Sequence, residues 1–511
     1  MKALLKVFAG FALFGLASCA GTQGAEETPE AKVAEPAAAK PPVTEAQTAL
    51  EPAKKSGSSI PESYKDLTFP EFSYETPDPL AYRVVLSDSV TGYIVTDTTL
   101  PLSSLSILFR EATVPSEIGE AAAKEVLSGM FRNGGTKGLS PSAVDDSLDF
   151  ISARIKGSLS SLSSTVEVNA LSRDFYETAL LARELFTKPG LDSARLEIQK
   201  AAFVEAYEHR FDSPSDVLKA LRYKVNYEKS PRLWDARAEE YAKVSREALL
   251  KLAPGKFNPS RVIFAYAGDL PRDSVEAFLK QYFEKWKVDT LAKRDTAERL
   301  KLLRKPGTFA VEREITQANI SLNQPFLRRP HKDYYPAAVA SFILGGGSFS
   351  SRLMERVRSD EGLVYGISSG VGNSFDDTTL TTIVLQTKAE QAPKALEIVF
   401  AEIRKLAEGG PTEQELLQAK KTLIESLPSL FPDAEETAVT FATNEYTGRQ
   451  FDHYKQYVEE ISAVTAEEVK EMIAKYFDPA KMTISIVGPK AAWETLPNVQ
   501  VIPLDSLEMR P

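Results

Sequence analysis

One stretch of this chain is written twice. Ser245 to Leu250, then Phe257-Asn-Pro, then Arg261-Val-Ile-Phe-Ala-Tyr-Ala-Gly268 form the first copy. Thr465 to Lys470, then Phe477-Asp-Pro, then Lys481-Met-Thr-Ile-Ser-Ile-Val-Gly488 form the second. The shift is 220 residues throughout, and it also carries Leu196 onto Leu416, Lys200 onto Lys420 and Glu205 onto Glu425. Helix signals, turns and apolar strands that match at one fixed shift mean two copies of a single unit. A chain of 511 residues built this way folds as two like lobes.

Within each copy the hydrophobic period alternates between that of strands and that of helices. Leu105 to Phe109 reads as a strand with an edge-like character, and Ile118 to Arg132 as a helix. Val166 to Leu171 and Thr381 to Leu385 alternate as strands, and Phe175 to Leu185 is helical. Ser140-Pro141 supplies a helix cap followed by proline at the first position. Thr412 with Glu415 and Thr465 with Glu468 have the spacing of capping boxes. Val262 to Ala267 and Met482 to Val487 are short continuous apolar runs, each ended by glycine, as buried strands are. The fold class is therefore α+β: two homologous lobes, each an antiparallel-rich sheet with helices packed on one face.

The composition is that of a globular protein, 43% hydrophobic and 26% charged. A net charge of −10 argues against a nucleic-acid partner, which would want a basic face. A single cysteine, Cys19, excludes an intrachain disulfide. The three histidines, His209, His331 and His453, are far apart, so no local pair can hold a metal.

Residues 1–18 pair Lys2 and Lys6 with the apolar run Val7 to Leu16, the pattern of a signal peptide too short to span a membrane. Leu16-Ala17-Ser18-Cys19 resembles a bacterial lipobox, which implies cleavage before Cys19 and its lipidation. Ala20 follows in place of an aspartate, which favours the outer membrane, facing the periplasm. Residues 19–65 hold this cysteine and a stretch rich in Ala, Pro, Glu and Lys that reads as a disordered tether. The remaining expected boundaries are a first lobe at 66–289, a charged hinge linker at 290–308, a second lobe at 309–498 and a tail at 499–511.

The chemistry-bearing stretch is Gly345 to Ser369, GGGSFSSRLMERVRSDEGLVYGISS. A glycine run leads into a basic amphipathic helix, Gly362 breaks it, and Leu363 to Ile367 alternate as a strand. A helix that turns back into an adjacent strand can bring Arg358 and Tyr365 onto one surface. A fixed cation and a phenolic donor are suited to holding a carbonyl oxygen as it gains charge. The glycines Gly345, Gly346 and Gly347 have no Gly-Lys-Ser/Thr after them, so they are no phosphate loop. They mark either a close backbone approach, including one by substrate, or a simple turn.

This run resembles the Gly-Gly, Ser-Arg-Leu, Leu-Arg, Gly-Leu-x-Tyr signature of the pitrilysin/insulysin (inverzincin) metallopeptidases, which include the mitochondrial processing peptidase. The resemblance covers nearly all of residues 66–498 and implies a two-lobed clamshell. It implies that Arg358 and Tyr365 hold the scissile carbonyl and its oxyanion, and that Gly345, Gly346, Gly347, Ser351 and Arg352 shape the floor under a peptide. In active members the first long helix carries His-x-x-Glu-His, whose histidines bind zinc and whose glutamate activates water. Counting back from Gly135-Thr136, those positions here hold Val126, Gly129 and Met130, and no histidine precedes residue 209. Glu205 lies near the family's third ligand position, and a metal on Glu205 and His209 is a minor alternative.

The resemblance thus implies a zinc-less subunit with no cofactor of its own. Its partner would be a family member bearing His-x-x-Glu-His and the zinc, and its substrate a peptide received by strand addition, with Leu105 to Phe109 as the candidate edge. The alternative is a non-catalytic peptide-binding or scaffold lipoprotein of the cell envelope.

Overall fold

Two six-stranded sheets share one order over five of their strands, as the internal duplication requires, and differ in the sixth, an outermost strand. The structure is a computed structural model that describes Ser63 and residues 73–110, 113–287 and 297–511. The signal peptide at 1–18, Cys19 and most of the tether lie outside the described residues, as does 290–296 of the linker.

The first sheet contains β1 (Arg83–Ser87), β2 (Val90–Thr96), β3 (Leu102–Phe109), β4 (Arg154–Leu159), β5 (Ser164–Leu171) and β6 (Val262–Gly268). The second contains β7 (Gly307–Glu312), β8 (Gln317–Pro325), β9 (Val364–Val371), β10 (Leu380–Lys388), β11 (Thr483–Gly488) and β12 (Val499–Val501). Their spatial orders are β1-β2-β6-β3-β5-β4 and β12-β7-β11-β8-β10-β9. The duplicated strands β6 and β11 each pair parallel to one neighbour and antiparallel to the other. Phe257 and Phe477, equivalent by the shift of 220, are both fully buried. The caps form as the sequence predicts: Ser140 accepts from the Ala143 amide, and Thr412–Glu415 and Thr465–Glu468 are capping boxes.

One strand assignment is corrected. β3, expected at an edge, lies between β6 and β5 and is hydrogen-bonded on both sides. The outermost strands are β1, β4, β9 and β12. The serines interspersed in Leu-Ser-Ser-Leu-Ser-Ile-Leu-Phe mimic a solvated face. Ser103 is instead buried, bonded to the Ser172 and Tyr266 hydroxyls.

The lobes are joined by an exchange of equivalent helices. Pro214–Asn226, from the first lobe, packs Val217, Leu221 and Val225 against Val311 and Val487 of the second sheet. Ala434–Thr447, from the second lobe, packs Ala438, Phe441 and Ala442 against Tyr93, Val95, Ile263 and Ala265 of the first. Each sheet is therefore apolar on both faces where these helices sit, which is why β6 is buried at every residue. Charged contacts also cross between the lobes. Arg83 pairs with Glu445 at 2.8 Å, and Arg232 with Asp377 at 2.7 Å. The described part of the linker is pinned, because the Glu228 amide donates to the Lys301 carbonyl and the Leu303 amide to the Asn226 carbonyl. β7 already begins at Gly307, inside the expected linker.

Candidate functional site

The glycine run and the basic helix after it are both wound wider than an α-helix. Phe342–Gly346 and Met354–Asp360 are π-helical. Such turns are uncommon and cluster at functional sites. Gly345 is buried with no room for a side chain, since a Cβ there would lie 2.7 Å from the Ser369 amide of β9. At Gly347 a Cβ would lie 2.9 Å from the Phe342 ring. The backbone that approaches this run closely is thus the chain's own β9.

The expected floor residues are mostly committed to the fold. Ser351 is buried and its hydroxyl donates to the Ser348 carbonyl at 2.7 Å. Arg352 forms a forked pair with Glu415, at 2.6 and 2.8 Å, and donates to the Gly410 carbonyl. It ties the glycine turn to the capping box at Thr412. With Gly345, these residues serve the architecture under the site and do not face a peptide, and among the glycines only Gly346 is exposed. A carboxylate and a carbonyl lie within reach of Arg352 and take up its Nε and one terminal nitrogen.

Arg358 is different. Its guanidinium lies near two rings, 4.8 Å from the centroid of Phe349 and 5.2 Å from that of Tyr365. It makes no side-chain hydrogen bond or ion pair among the described residues. Neighbouring Arg356, by contrast, pairs with Asp360 at 2.6 Å. The wide turn closes below it, where the Gly362 amide donates to the Arg358 carbonyl and Gly362 takes φ +62°.

Tyr365 sits at a bulge. Gln386 of β10 faces Gly366 of β9, and the next residue, Thr387, faces Val364, so Tyr365 is skipped. A bulge re-aims the side chain of its extra residue, and this one is 82% exposed. Phe349, 65% exposed, was not anticipated from sequence. Its only signal is an aromatic residue set in Ser-Phe-Ser directly after the glycines. The patch offers an unpaired cation, a phenolic donor and two aromatic rings on the outermost strand of its sheet. Such a surface can hold a carbonyl oxygen or carboxylate of an extended peptide.

The metal positions of the first lobe do not fit zinc. Val126 and Met130 are fully buried in its apolar core. A side chain at Gly129 would meet the Gln199 amide at 2.8 Å. Glu205 is exposed, and His209 pairs with Asp212 at 2.8 Å. Beside them, Glu125 accepts from the Tyr241 hydroxyl, and burial holds its carboxyl above the ordinary range. Among the described residues no group of His, Cys, Asp and Glu is placed to hold a metal ion.

Residues 243–423 match the family described as the peptidase M16 inactive domain. A Bacillus subtilis relative named uncharacterized zinc protease YmxG is 26% identical over 58% of this chain and 71% of its own. A Helicobacter pylori relative named non-peptidase homolog YmxG is 24% identical over 76% of this chain and 90% of its own. The solved structure of the periplasmic protease PqqL from Escherichia coli superposes with TM-score 0.66 at 14% identity. It covers 83% of this chain and 49% of that protease.

Proposed function

The chain carries the inactive domain of the peptidase M16 (pitrilysin/insulysin) family, and on that premise we propose that it is the zinc-less subunit of a two-subunit metallopeptidase. The observation that carries this reading is the pairing of an unspent Arg358 with an exposed Tyr365 in a chain whose metal positions are Val126, Gly129 and Met130. The hydrolytic site belongs to a partner bearing His-x-x-Glu-His. In this chain Arg358 and Tyr365 donate to the scissile carbonyl and hold its oxygen as negative charge builds. Donors of that kind act from whichever chain presents them, provided they are fixed before the reaction begins.

Two features support the division of labour. The exchanged helices pack against both sheets at the junction between this chain's own lobes, which favours a peptide enclosed against a second chain. The likeness to about half of a longer protease fits a two-lobed molecule that works beside a second one of like size. Of the outermost strands, β9 carries Tyr365, and an extended peptide adding to that edge runs past Arg358. The lipidated Cys19 and the tether would hold the assembly at the outer membrane, facing the periplasm, a placement supported by sequence alone.

The test is cleavage of an unfolded peptide by the chain alone, by a His-x-x-Glu-His partner alone, and by both. The proposal expects activity from the pair only, abolished by chelation. Chelator-sensitive cleavage by the chain alone contradicts it. The second reading, a peptide-binding scaffold, is favoured by the name of the Helicobacter pylori relative. It expects peptide capture with no change in a partner's turnover.

A further inference from the structure

The loop after β8 and the turn before the helix His453–Ala463 bring two arginines to one aromatic ring. The Arg329 guanidinium lies 5.0 Å from the Phe375 centroid, and that of Arg449 lies 4.8 Å from the same centroid. Arg329 also lies 3.8 Å from the Tyr334 centroid. Tyr334 packs on Tyr335, and Tyr335 on Tyr457. Arg329 is only 5% exposed, while Arg449 is half-buried.

No carboxylate answers these charges among the described residues. Arg329 donates to the Asn373 side-chain carbonyl at 2.9 Å and to the Tyr335 hydroxyl at 3.3 Å. Arg449 donates to the Asn444 side-chain carbonyl at 2.6 Å. The Nε–H groups of both arginines are buried without an acceptor. His453 beside them adds no counter-charge. Burial first, then Arg449 and Arg329, push its imidazole down to about 3, so it is neutral. A buried charge left unpaired is among the costliest features a fold can carry. Stacking on Phe375 and Tyr334 recovers part of that cost. One ring cannot, however, shield two cations from each other.

We propose that Arg329 and Arg449, with the hydroxyls of Tyr334 and Tyr457, form a binding site for a compact oxyanion of the phosphate or sulfate type. Neither hydroxyl has a hydrogen-bond partner among the described residues. Two guanidinium groups and two phenols offer more donors than a planar carboxylate can accept, and they match a tetrahedral ion better. The site's position gives it an effect. Phe375 lies two residues from Asp377, which pairs with Arg232 of the first lobe, and Arg449 follows the exchanged helix Ala434–Thr447. An anion held here stiffens the junction between lobes.

The experiment is calorimetric titration and thermal unfolding of the full chain with inorganic phosphate or sulfate, at ionic strength held constant by chloride. A ligand of the folded state gives saturable heat and a Tm that climbs with ligand concentration. Arg449→Gln is expected to weaken phosphate binding at least tenfold, and Tyr457→Phe severalfold. The tyrosine change keeps every charge, so it decides the matter if Arg449→Gln folds poorly. Arg304→Gln, an exposed cation elsewhere, is expected to leave binding within twofold. Absence of saturable binding, equal stabilisation by chloride, or equal losses in Arg304→Gln and Arg449→Gln would overturn the proposal.

Discussion

Tyr365 stands at the bulge where β9 slips past β10, and the guanidinium of Arg358 lies 5.2 Å from its ring. The two residues come from different kinds of element, a π-helical turn and an edge strand, joined by a glycine at positive φ. Phe349 also lies near the cation, at 4.8 Å, and among the described residues no carboxylate pairs with it. Its donors are therefore not taken up by a partner among the described residues.

The lobe junction rests on a charged pair that water barely reaches. The Arg232 and Asp377 side chains are 7% and 14% exposed, and two bonds join them. Arg232→Gln leaves Asp377 buried and short of its partner, a loss of about 3–5 kcal/mol by the usual cost of breaking such pairs. Urea unfolding measures it directly. A loss below about 1 kcal/mol, the worth of an exposed pair, would mean the junction does not depend on this contact.

His453 makes stability sensitive to acid. Its folded imidazole is pushed down to about 3 by burial and the two nearby arginines, against an ordinary value of 6.5. The unfolded chain therefore binds the proton first. The contribution is whole above pH 6.5 and is lost as pH falls toward 3, at up to about 1.4 kcal/mol per pH unit. The stability difference between wild type and His453→Gln is expected to shift in the variant's favour from pH 7 to pH 4. Parallel pH profiles would place His453 in a more solvated setting.

Zinc should be indifferent to this chain. Val126 and Met130 contribute apolar side chains to the core, and Gly129 contributes none. After dialysis against zinc and removal of excess, metal analysis is expected to find no stoichiometric ion, and a chelator should leave Tm unchanged. A Tm that falls on chelation would show a ligand set beyond the residues at these positions.

Much of the fold was legible because it is local or repeated. The capping boxes, the glycine-ended buried strands and the paired Phe257 and Phe477 all follow from short patterns. The residues at the metal positions, Val126, Gly129 and Met130, were legible too, since they are read directly from the chain. What sequence left hidden is long-range. β3 read as an edge because nothing local reveals that β6, more than 150 residues later, pairs beside it. Arg352 read as substrate-facing because its partner Glu415 is 63 residues away. The bulge at Tyr365 depends on register with β10, and Arg329 meets Arg449 only through the packing around Phe375.

The most direct measurement is single-turnover peptide cleavage by the assembled pair with Arg358→Ala or Tyr365→Phe in this chain. Tyr365 is exposed, so stability and assembly should be unaffected by its loss of one hydroxyl. The account predicts a rate lower by roughly a hundred- to a thousandfold for each variant, as for removal of one oxyanion donor. An unchanged rate with either variant would contradict it and leave this chain a scaffold.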